Sequence, residues 1–205
     1  MGQILSSVGL VYGCMKSGKS AYLLKHADLL QLEGAVYVAL KPILDVRDGA
    51  YISSRESGSE PLLAMMVPTD LGTYLDSEVI SEFSRERNLT FLVDEVFMFD
   101  GGSVMDFMSQ QRDLGNSIVF SGLDLNFRGE AFQFQNSTLT MLDLAKEVDW
   151  SEQVYARCDV CASDKAEYTQ RLLSDGGIAP YDDPELVVGD RLYQARCSEC
   201  FVVPS

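Results

Sequence analysis

The stretch GCMKSGKS, residues 13–20, matches the pattern G-x-x-x-x-G-K-[ST] at each of its fixed positions. In a loop of this kind the glycines let the backbone curl, so that successive N–H groups converge on phosphate oxygens. The lysine neutralises charge between the β- and γ-phosphates, and the final hydroxyl is a ligand of Mg²⁺. The stretch therefore predicts an ATP–Mg²⁺ site formed by Gly13, Cys14, Met15, Lys16, Ser17, Gly18, Lys19 and Ser20.

The segments on both sides of this stretch supply the strand and the helix that a phosphate-binding loop connects. Residues 8–12 form a short apolar run that predicts a buried strand, and the spacing of apolar residues over 19–33 predicts a helix. Apolar runs at 35–40, 90–93 and 117–120 predict three more strands. A strand, a helix and a strand in that order imply a parallel crossover. We therefore expect an α/β fold with a P-loop NTPase-like parallel sheet flanked by helices.

Two adjacent carboxylates, Asp94 and Glu95, follow directly after the apolar run at 90–93. Proteins with a phosphate-binding loop use a carboxylate at such a strand end to assist Mg²⁺, which predicts that role for Asp94. Glu95 points in another direction and can act as a general base, on water in an ATPase or on a hydroxyl group in a small-molecule kinase. The two motifs together do not distinguish a hydrolase from a kinase.

Four of the five cysteines lie in two C-x-x-C pairs near the end of the chain, Cys158 with Cys161 and Cys197 with Cys200. In a cytosolic protein such pairs predict a metal site before a disulfide framework. Four thiolates complete a tetrahedral zinc site and leave no open position, so we expect a structural zinc ion. The composition changes near Trp150, and we expect a small C-terminal zinc-ribbon domain after that point.

The overall charge and hydropathy exclude several classes of partner. The net charge is −15 at pH 7, which repels nucleic-acid backbones at long range, so nucleic acid is not an expected partner. No apolar stretch approaches the roughly 20 residues of a membrane-spanning helix, so no membrane partner is expected. The N-terminal residues carry no basic segment before the first apolar run, unlike a secretory signal. We therefore expect a cytoplasmic location.

These motifs occur in the order found in the thymidine kinase family, which the chain resembles from about Val8 to Cys200. The matching segments are residues 13–20, 93–95, GLDLNFRGEAF at 122–132, YTQRL at 168–172 and the two cysteine pairs. The resemblance implies a P-loop nucleoside kinase domain over residues 1–151 and a zinc-binding lasso domain over 152–205. It also implies that the lasso closes over the nucleoside and that the protein is a homotetramer.

The resemblance assigns roles to single residues. Glu95 is expected to be the base for the 5′-hydroxyl of thymidine, with Asp94 assisting Mg²⁺. Arg55, in the segment SSRE, matches an arginine of a flexible loop near the phosphates. Phe97 and Met98 stand where the family usually has a glutamine and an aromatic residue. The residues expected at the nucleoside are Met15, Met98, Leu123, Phe127, Phe132, Thr169, Val187, Val188, Gly189 and Tyr193.

Three functional hypotheses remain at this point. The resemblance implies ATP-dependent phosphorylation of thymidine, and of deoxyuridine, at the 5′-hydroxyl to give the monophosphate. A lasso that binds the pyrimidine edge through its backbone would reject cytidine derivatives, because their polar edge atoms would be left unpaired. The alternative is a P-loop ATPase whose zinc ribbon binds nucleic acid or a protein. A third hypothesis is a nucleotide-binding regulator without turnover, against which the complete set of Lys19, Ser20, Asp94 and Glu95 argues.

Overall fold

The computed structural model describes residues 6–54, 60–72, 89–185, 187 and 192–205 of the 205-residue chain. The strands in these ranges are β1 (Val8–Tyr12), β2 (Tyr37–Pro42), β3 (Tyr51–Ile52), β4 (Leu62–Leu63), β5 (Met65–Val67), β6 (Thr90–Val93), β7 (Ser117–Gly122), β8 (Trp150–Gln153), β9 (Tyr168–Arg171) and β10 (Tyr193–Arg196). The helices are α1 (Lys19–Leu32), α2 (Gly101–Asp113) and α3 (Met141–Glu147), and a short 3₁₀ turn spans Val96–Met98.

Six of these strands form one sheet in the order β5-β2-β6-β7-β1-β8, and every neighbouring pair is parallel. The strand after the first helix runs from Tyr37 to Pro42, about two residues later than the sequence predicts. The order confirms the expected α/β fold with a parallel sheet flanked by helices. It also brings the ends of β1, β7 and β6 side by side at the carboxyl edge of the sheet.

Helices cover both faces of this sheet, because apolar side chains of the central strands alternate between the faces. On one face a buried cluster joins Phe91 of β6 to α2 and α3 through Phe107 and Leu144. Phe91 and Phe107 meet edge to face, with ring centroids 5.1 Å apart. On the other face Val11 of β1 packs with Leu23 of α1. With both faces covered, the carboxyl edge of the strands is the place where a ligand can enter.

The C-terminal part contains the two-stranded antiparallel sheet of β9 and β10 and the two cysteine pairs. β8 belongs instead to the main sheet, where it pairs with β1. The expected division between residues 151 and 152 therefore falls within a strand of the main sheet, and it stays a prediction. None of the helices in the ranges that the structure describes is long and apolar enough to cross a membrane.

Gly9 of β1 lies against the indole ring of Trp150 in the neighbouring strand β8, and a Cβ atom at residue 9 would lie 2.0 Å from Trp150 Cε2. We expect Gly9→Ala to lower the free energy of unfolding by about 1–3 kcal/mol, because the ring and both strands would have to shift. Urea denaturation followed by circular dichroism measures this change. Trp150→Leu provides the matched control. In a protein that already carries Trp150→Leu, Gly9→Ala should lower the free energy of unfolding by less, because the indole ring is gone. An unfolding free energy unaffected by Gly9→Ala would contradict this contact.

Candidate active site

The phosphate-binding loop connects β1 to α1 and uses backbone conformations that favour glycine. Gly18 has φ of 88° and directly precedes α1, so the N-terminus of that helix opens onto the loop. Gly13 has φ of 153°, and a Cβ atom there would lie 2.1 Å from the carbonyl oxygen of Val154. The Lys19 side chain is buried, and its ammonium donates to the carbonyl oxygen of Cys14 at 2.8 Å. The loop is thus folded around the lysine that would meet a phosphate.

Ser20, the predicted Mg²⁺ ligand, and Asp94, which is predicted to assist Mg²⁺, lie side by side. The Ser20 hydroxyl donates to Asp94 Oδ2 at 3.2 Å, and the Ser121 hydroxyl donates to Asp94 Oδ1. Burial and the nearby charge of Glu95 raise the pKa of Asp94, and the hydrogen bond from Ser121 opposes that shift. A hydroxyl and a carboxylate are hard oxygen ligands of the kind that Mg²⁺ prefers, so these residues fit the ion.

Glu95 follows β6 in a left-handed backbone conformation, with φ of 49° and ψ of 46°. For a residue other than glycine this conformation costs on the order of 1–3 kcal/mol, and such costs concentrate at functional sites. Its Oε1 atom accepts a hydrogen bond from the Arg47 guanidinium. Its Oε2 atom is buried and has no hydrogen-bond partner among the described residues. One carboxylate oxygen is therefore held in place, while the other has no hydrogen bond from the described residues.

Arg47 is a site residue that the sequence analysis missed. Its guanidinium contacts Asp45 through two bonds, Nε to Oδ1 at 2.6 Å and Nη2 to Oδ2 at 3.0 Å, besides its contact with Glu95. The buried ammonium of Lys41 lies 3.1 Å from Asp45 Oδ2 and donates to the Tyr51 carbonyl oxygen at 3.0 Å. Burial raises the pKa of Asp45, but the hydrogen bonds and charges of Arg47 and Lys41 outweigh it and lower that pKa.

These four residues, Lys41, Asp45, Arg47 and Glu95, form a line of alternating charges that we call the charge chain. The sequence does show three of these charged residues close together, Lys41 near the end of β2 and Asp45 and Arg47 just after it. β2 is the strand that pairs with β6. The arginine that the sequence analysis placed near the phosphates, Arg55, lies outside the described residues, and its role stays a prediction.

A cavity of about 330 Å³ is lined by the phosphate-binding loop, by Glu95 and by an apolar recess. Of the residues predicted at the nucleoside, those that line it are Met15, Met98, Leu123, Phe127, Phe132, Thr169, Val187 and Tyr193. Val188 and Gly189 lie outside the described residues. Apart from Gly13 and Cys14, the described residues of the predicted phosphate site, the predicted general base and the described residues of the predicted nucleoside site thus line one cavity. Their individual roles stay predictions.

Aromatic rings form much of the recess. Phe97 and Phe132 pack with ring centroids 4.3 Å apart, and Phe132 also belongs to the buried core on that face of the sheet. Phe127 lies beneath the guanidinium groups of Arg128 and Arg171, which are 4.6 and 5.4 Å from its ring centroid. Phe132 therefore combines a packing role with a place in the cavity wall, which its spacing in the sequence did not indicate.

Two hydrogen bonds tie the C-terminal part of the chain to this cavity. The Met15 N–H donates to Thr169 Oγ1 at 3.0 Å, which joins the phosphate-binding loop to β9. The Tyr193 hydroxyl donates to the Val187 carbonyl oxygen at 2.8 Å. Thr169, Val187 and Tyr193, all within the range predicted to be the lasso domain, therefore form part of the cavity wall.

The four C-terminal cysteines converge as the spacing predicts, with their sulfur atoms all within 4.8 Å of one another. Cys161 Sγ and Cys197 Sγ are 3.5 Å apart, close to the about 3.8 Å between sulfurs that zinc bonds of about 2.3 Å give in a tetrahedron. Burial opposes ionisation of Cys158, but backbone N–H groups of Cys161 and Cys197 lower its pKa to about 6. Thiolates in this arrangement fit zinc, and they would fill every position around it.

The fifth cysteine, Cys14 in the phosphate-binding loop, is apart from this set of ligands. It is buried, and its thiol donates to the Ala166 carbonyl oxygen at 3.2 Å. Burial raises the pKa of Cys14 to about 11, so its thiol is protonated at neutral pH. The side chain therefore fills space beside the loop.

Comparison with known proteins shows which family this chain belongs to. The family model described as thymidine kinase matches residues 6–201. A thymidine kinase of Chloroflexus aurantiacus is 30% identical, over 95% of this chain and 93% of its own length. One of Coprothermobacter proteolyticus is 32% identical, over 95% of this chain and 90% of its own length. A structure of the genome packaging NTPase B204 from Sulfolobus turreted icosahedral virus 2, in complex with sulfate, covers 74% of this chain and 76% of that protein, at 15% identity and a TM-score of 0.47. On the family match and the curated relatives, this chain belongs to the thymidine kinase family.

Proposed function

We propose that this protein transfers the γ-phosphoryl group of ATP to the 5′-hydroxyl of thymidine, with deoxyuridine as a second acceptor. The observation that carries the proposal is that one cavity is lined by the phosphate-binding loop, by Glu95 and by an apolar aromatic recess. An ATPase needs room beside the γ-phosphate for a single water molecule. A recess lined by Phe97, Phe127 and Phe132 is suited to a flat nucleobase.

The phosphate-binding loop has the groups needed to hold ATP for this transfer. Its N–H groups and the ammonium of Lys19 would bind the β- and γ-phosphates at the N-terminus of α1. Mg²⁺, when held by Ser20 and Asp94, would offset the negative charge of the phosphates. Ser121 orients Asp94 by donating to its second oxygen, so the carboxylate is fixed before a nucleotide binds.

Glu95 acts as the general base in this proposal. Its Oε2 atom accepts the proton of the 5′-hydroxyl while the 5′-oxygen forms a bond to the γ-phosphorus. The bond between that phosphorus and the bridging oxygen breaks, and ADP leaves with the bond's electrons. Arg47 holds the other carboxylate oxygen and fixes the direction of the base. Its positive charge also lies next to the group in transfer, where it stabilises the charge that develops there.

Base selection in this proposal follows from the polar edge of the pyrimidine. Thymine and uracil present the same pattern of carbonyl oxygens and a ring N–H, while cytosine presents an amino group and an unprotonated ring nitrogen. A lasso backbone arranged for the first pattern leaves polar atoms unpaired with the second, which disfavours deoxycytidine. The hydrogen bond from Tyr193 to the Val187 carbonyl oxygen supports the proposal, because it joins two lasso residues that both line the cavity.

The same proposal includes the metal, the domains, the oligomeric state and the location of the enzyme. Zinc at the four cysteines is its structural metal, residues 1–151 and 152–205 are its kinase and lasso domains, and ATP is the phosphoryl donor. A homotetramer follows from the resemblance to the family, and the cytoplasmic location is the one expected in the sequence analysis. Size-exclusion chromatography with light scattering measures the first of these directly.

Replacing Glu95 by glutamine tests the base. We expect Glu95→Gln to lower thymidine-dependent ADP release at least about 10²-fold, because general-base assistance is worth on the order of 10²–10⁴ in rate. The assay uses ATP, Mg²⁺ and a panel of thymidine, deoxyuridine and deoxycytidine. Glu147→Gln is the matched control, since Glu147 is an exposed glutamate of α3. ADP release of the unaltered protein that does not depend on any nucleoside would favour the ATPase, and preference for deoxycytidine would refute the base selection.

Replacing Arg47 by lysine tests the charge chain. A lysine cannot contact Asp45 through two bonds and reach Glu95 as well, so we expect kcat for thymidine to fall by about 10²-fold. Steady-state kinetics with thymidine as the varied substrate measure the change. Arg157→Lys is the matched control, because Arg157 is exposed and its guanidinium contacts the Ala162 carbonyl oxygen near the cysteines. An unaltered kcat in Arg47→Lys would show that Arg47 takes no part in the reaction.

Metal content tests the cysteine site. We expect one zinc ion per purified chain, measured by atomic emission. Cys161→Ser should lose this ion, because three thiolates and a hydroxyl bind zinc less well than four thiolates. Removal of zinc with a chelator should also lower the thermal unfolding midpoint, since the ion contributes to folding where it holds two distant segments together. A metal-free protein of undiminished thermal stability would contradict a structural zinc site.

A further inference from the structure

Lys16 makes a contact that neither the phosphate-binding loop nor the cysteine site explains alone. It has a left-handed backbone conformation, with φ of 66°, in the middle of the phosphate-binding loop. Its ammonium lies 2.7 Å from Asp159 Oδ2, and both side chains are 31% exposed. Asp159 follows Cys158 and is one of the two residues between the first pair of cysteines. The contact therefore joins the loop that would hold ATP to the segment that would hold zinc.

Asp159 is connected to the second cysteine pair as well. The oxygen atom that meets Lys16 also accepts the Ala195 N–H at 2.7 Å, and the Asp159 N–H donates to the Ala195 carbonyl oxygen at 2.9 Å. Ala195 lies two residues before Cys197. A metal ion that fixes both cysteine pairs would therefore fix Asp159 from both sides.

The two residues before Lys16 contact the same part of the chain. Cys14 is buried in an apolar cluster that includes Cys158 and Cys197, and its thiol donates to the Ala166 carbonyl oxygen. The Met15 N–H donates to Thr169 Oγ1. Three successive residues of the phosphate-binding loop are thus held by the segment that carries the cysteines.

We infer that Lys16 and Asp159 are positioning residues which couple metal binding at the four cysteines to nucleotide binding at the phosphate-binding loop. Asp159 holds Lys16 in the left-handed conformation that directs the neighbouring N–H groups of the loop. When the metal is bound, Asp159 is fixed, and the loop is kept in the form that receives phosphate. Because coupling between two binding sites is reciprocal, a bound nucleotide must strengthen metal binding by the same factor.

The size of this coupling is set by the exposure of the pair. An ion pair that is one-third exposed is partly screened by water, and we expect a factor of about two to five in each affinity. The inference rests on the proposed binding of ATP at the loop, and it does not depend on phosphoryl transfer.

Zinc release from the full-length, zinc-loaded protein provides the test. A chromophoric chelator in excess reports the release rate, with and without a saturating non-hydrolysable ATP analogue and Mg²⁺. The analogue should slow release from the unaltered protein by about two- to fivefold. Lys16→Met should abolish this slowing, Lys16→Arg should retain it, and Asp159→Asn should abolish it while still accepting the Ala195 N–H.

Lys165→Met is the matched control, because Lys165 is an exposed lysine close to the cysteines and should leave the slowing unchanged. Calorimetry with the same analogue supplies the reciprocal measurement. Its dissociation constant should rise about two- to fivefold in Lys16→Met, because Asp159 no longer holds the loop.

The outcomes separate this inference from the proposed function. An analogue that binds the unaltered protein without slowing zinc release, or that slows it equally in Lys16→Met, would overturn the coupling and leave phosphoryl transfer in place. Slowing that depends on Lys16 in a protein without nucleoside phosphorylation would support the coupling and overturn the proposed function. No binding of the analogue at all would overturn both.

Discussion

The parallel arrangement of β1, β7 and β6 is the constraint on which the whole site depends. Because the three strands run in the same direction, the phosphate-binding loop, Ser121 and the pair Asp94–Glu95 all emerge at one edge of the sheet. The hydrogen bonds from Ser20 and Ser121 to Asp94 are a direct result of this arrangement. A shift of one residue in either pairing would reverse the side-chain directions and separate these groups.

Charge pairing makes it possible to bury this site. An isolated buried charge is expensive, and removing one partner of a buried pair leaves such a charge behind. In the charge chain each group has a neighbour of opposite sign, from Lys41 through Asp45 and Arg47 to Glu95. The strained backbone of Glu95 is held in the same way, since its carboxylate is tied to Arg47 at one oxygen. The other oxygen is buried and has no hydrogen-bond partner among the described residues.

The sequence was sufficient to predict features whose signal is local. The phosphate-binding loop, the strand and helix around it and the ends of β6 and β7 follow from short patterns, and the two C-x-x-C pairs do converge. Arg47 was not predicted, because its nearness to Glu95 depends on β2 pairing with β6 and not on any motif. The membership of β8 in the main sheet was missed for a similar reason, since its pairing with β1 joins residues about 140 positions apart. The contact between Lys16 and Asp159 spans a similar distance and was equally invisible to local patterns.

In the proposed mechanism, Glu95 faces a nucleoside hydroxyl which lies in line with the γ-phosphate of a nucleotide on the phosphate-binding loop. A crystal structure with thymidine and a non-hydrolysable ATP analogue would test this arrangement. We expect the 5′-oxygen at about 2.6–3.2 Å from Glu95 Oε2 and about 3–3.5 Å from the γ-phosphorus, opposite the bridging oxygen. Thymidine bound outside the aromatic recess, or with its 5′-oxygen turned away from Glu95 toward solvent, would contradict it.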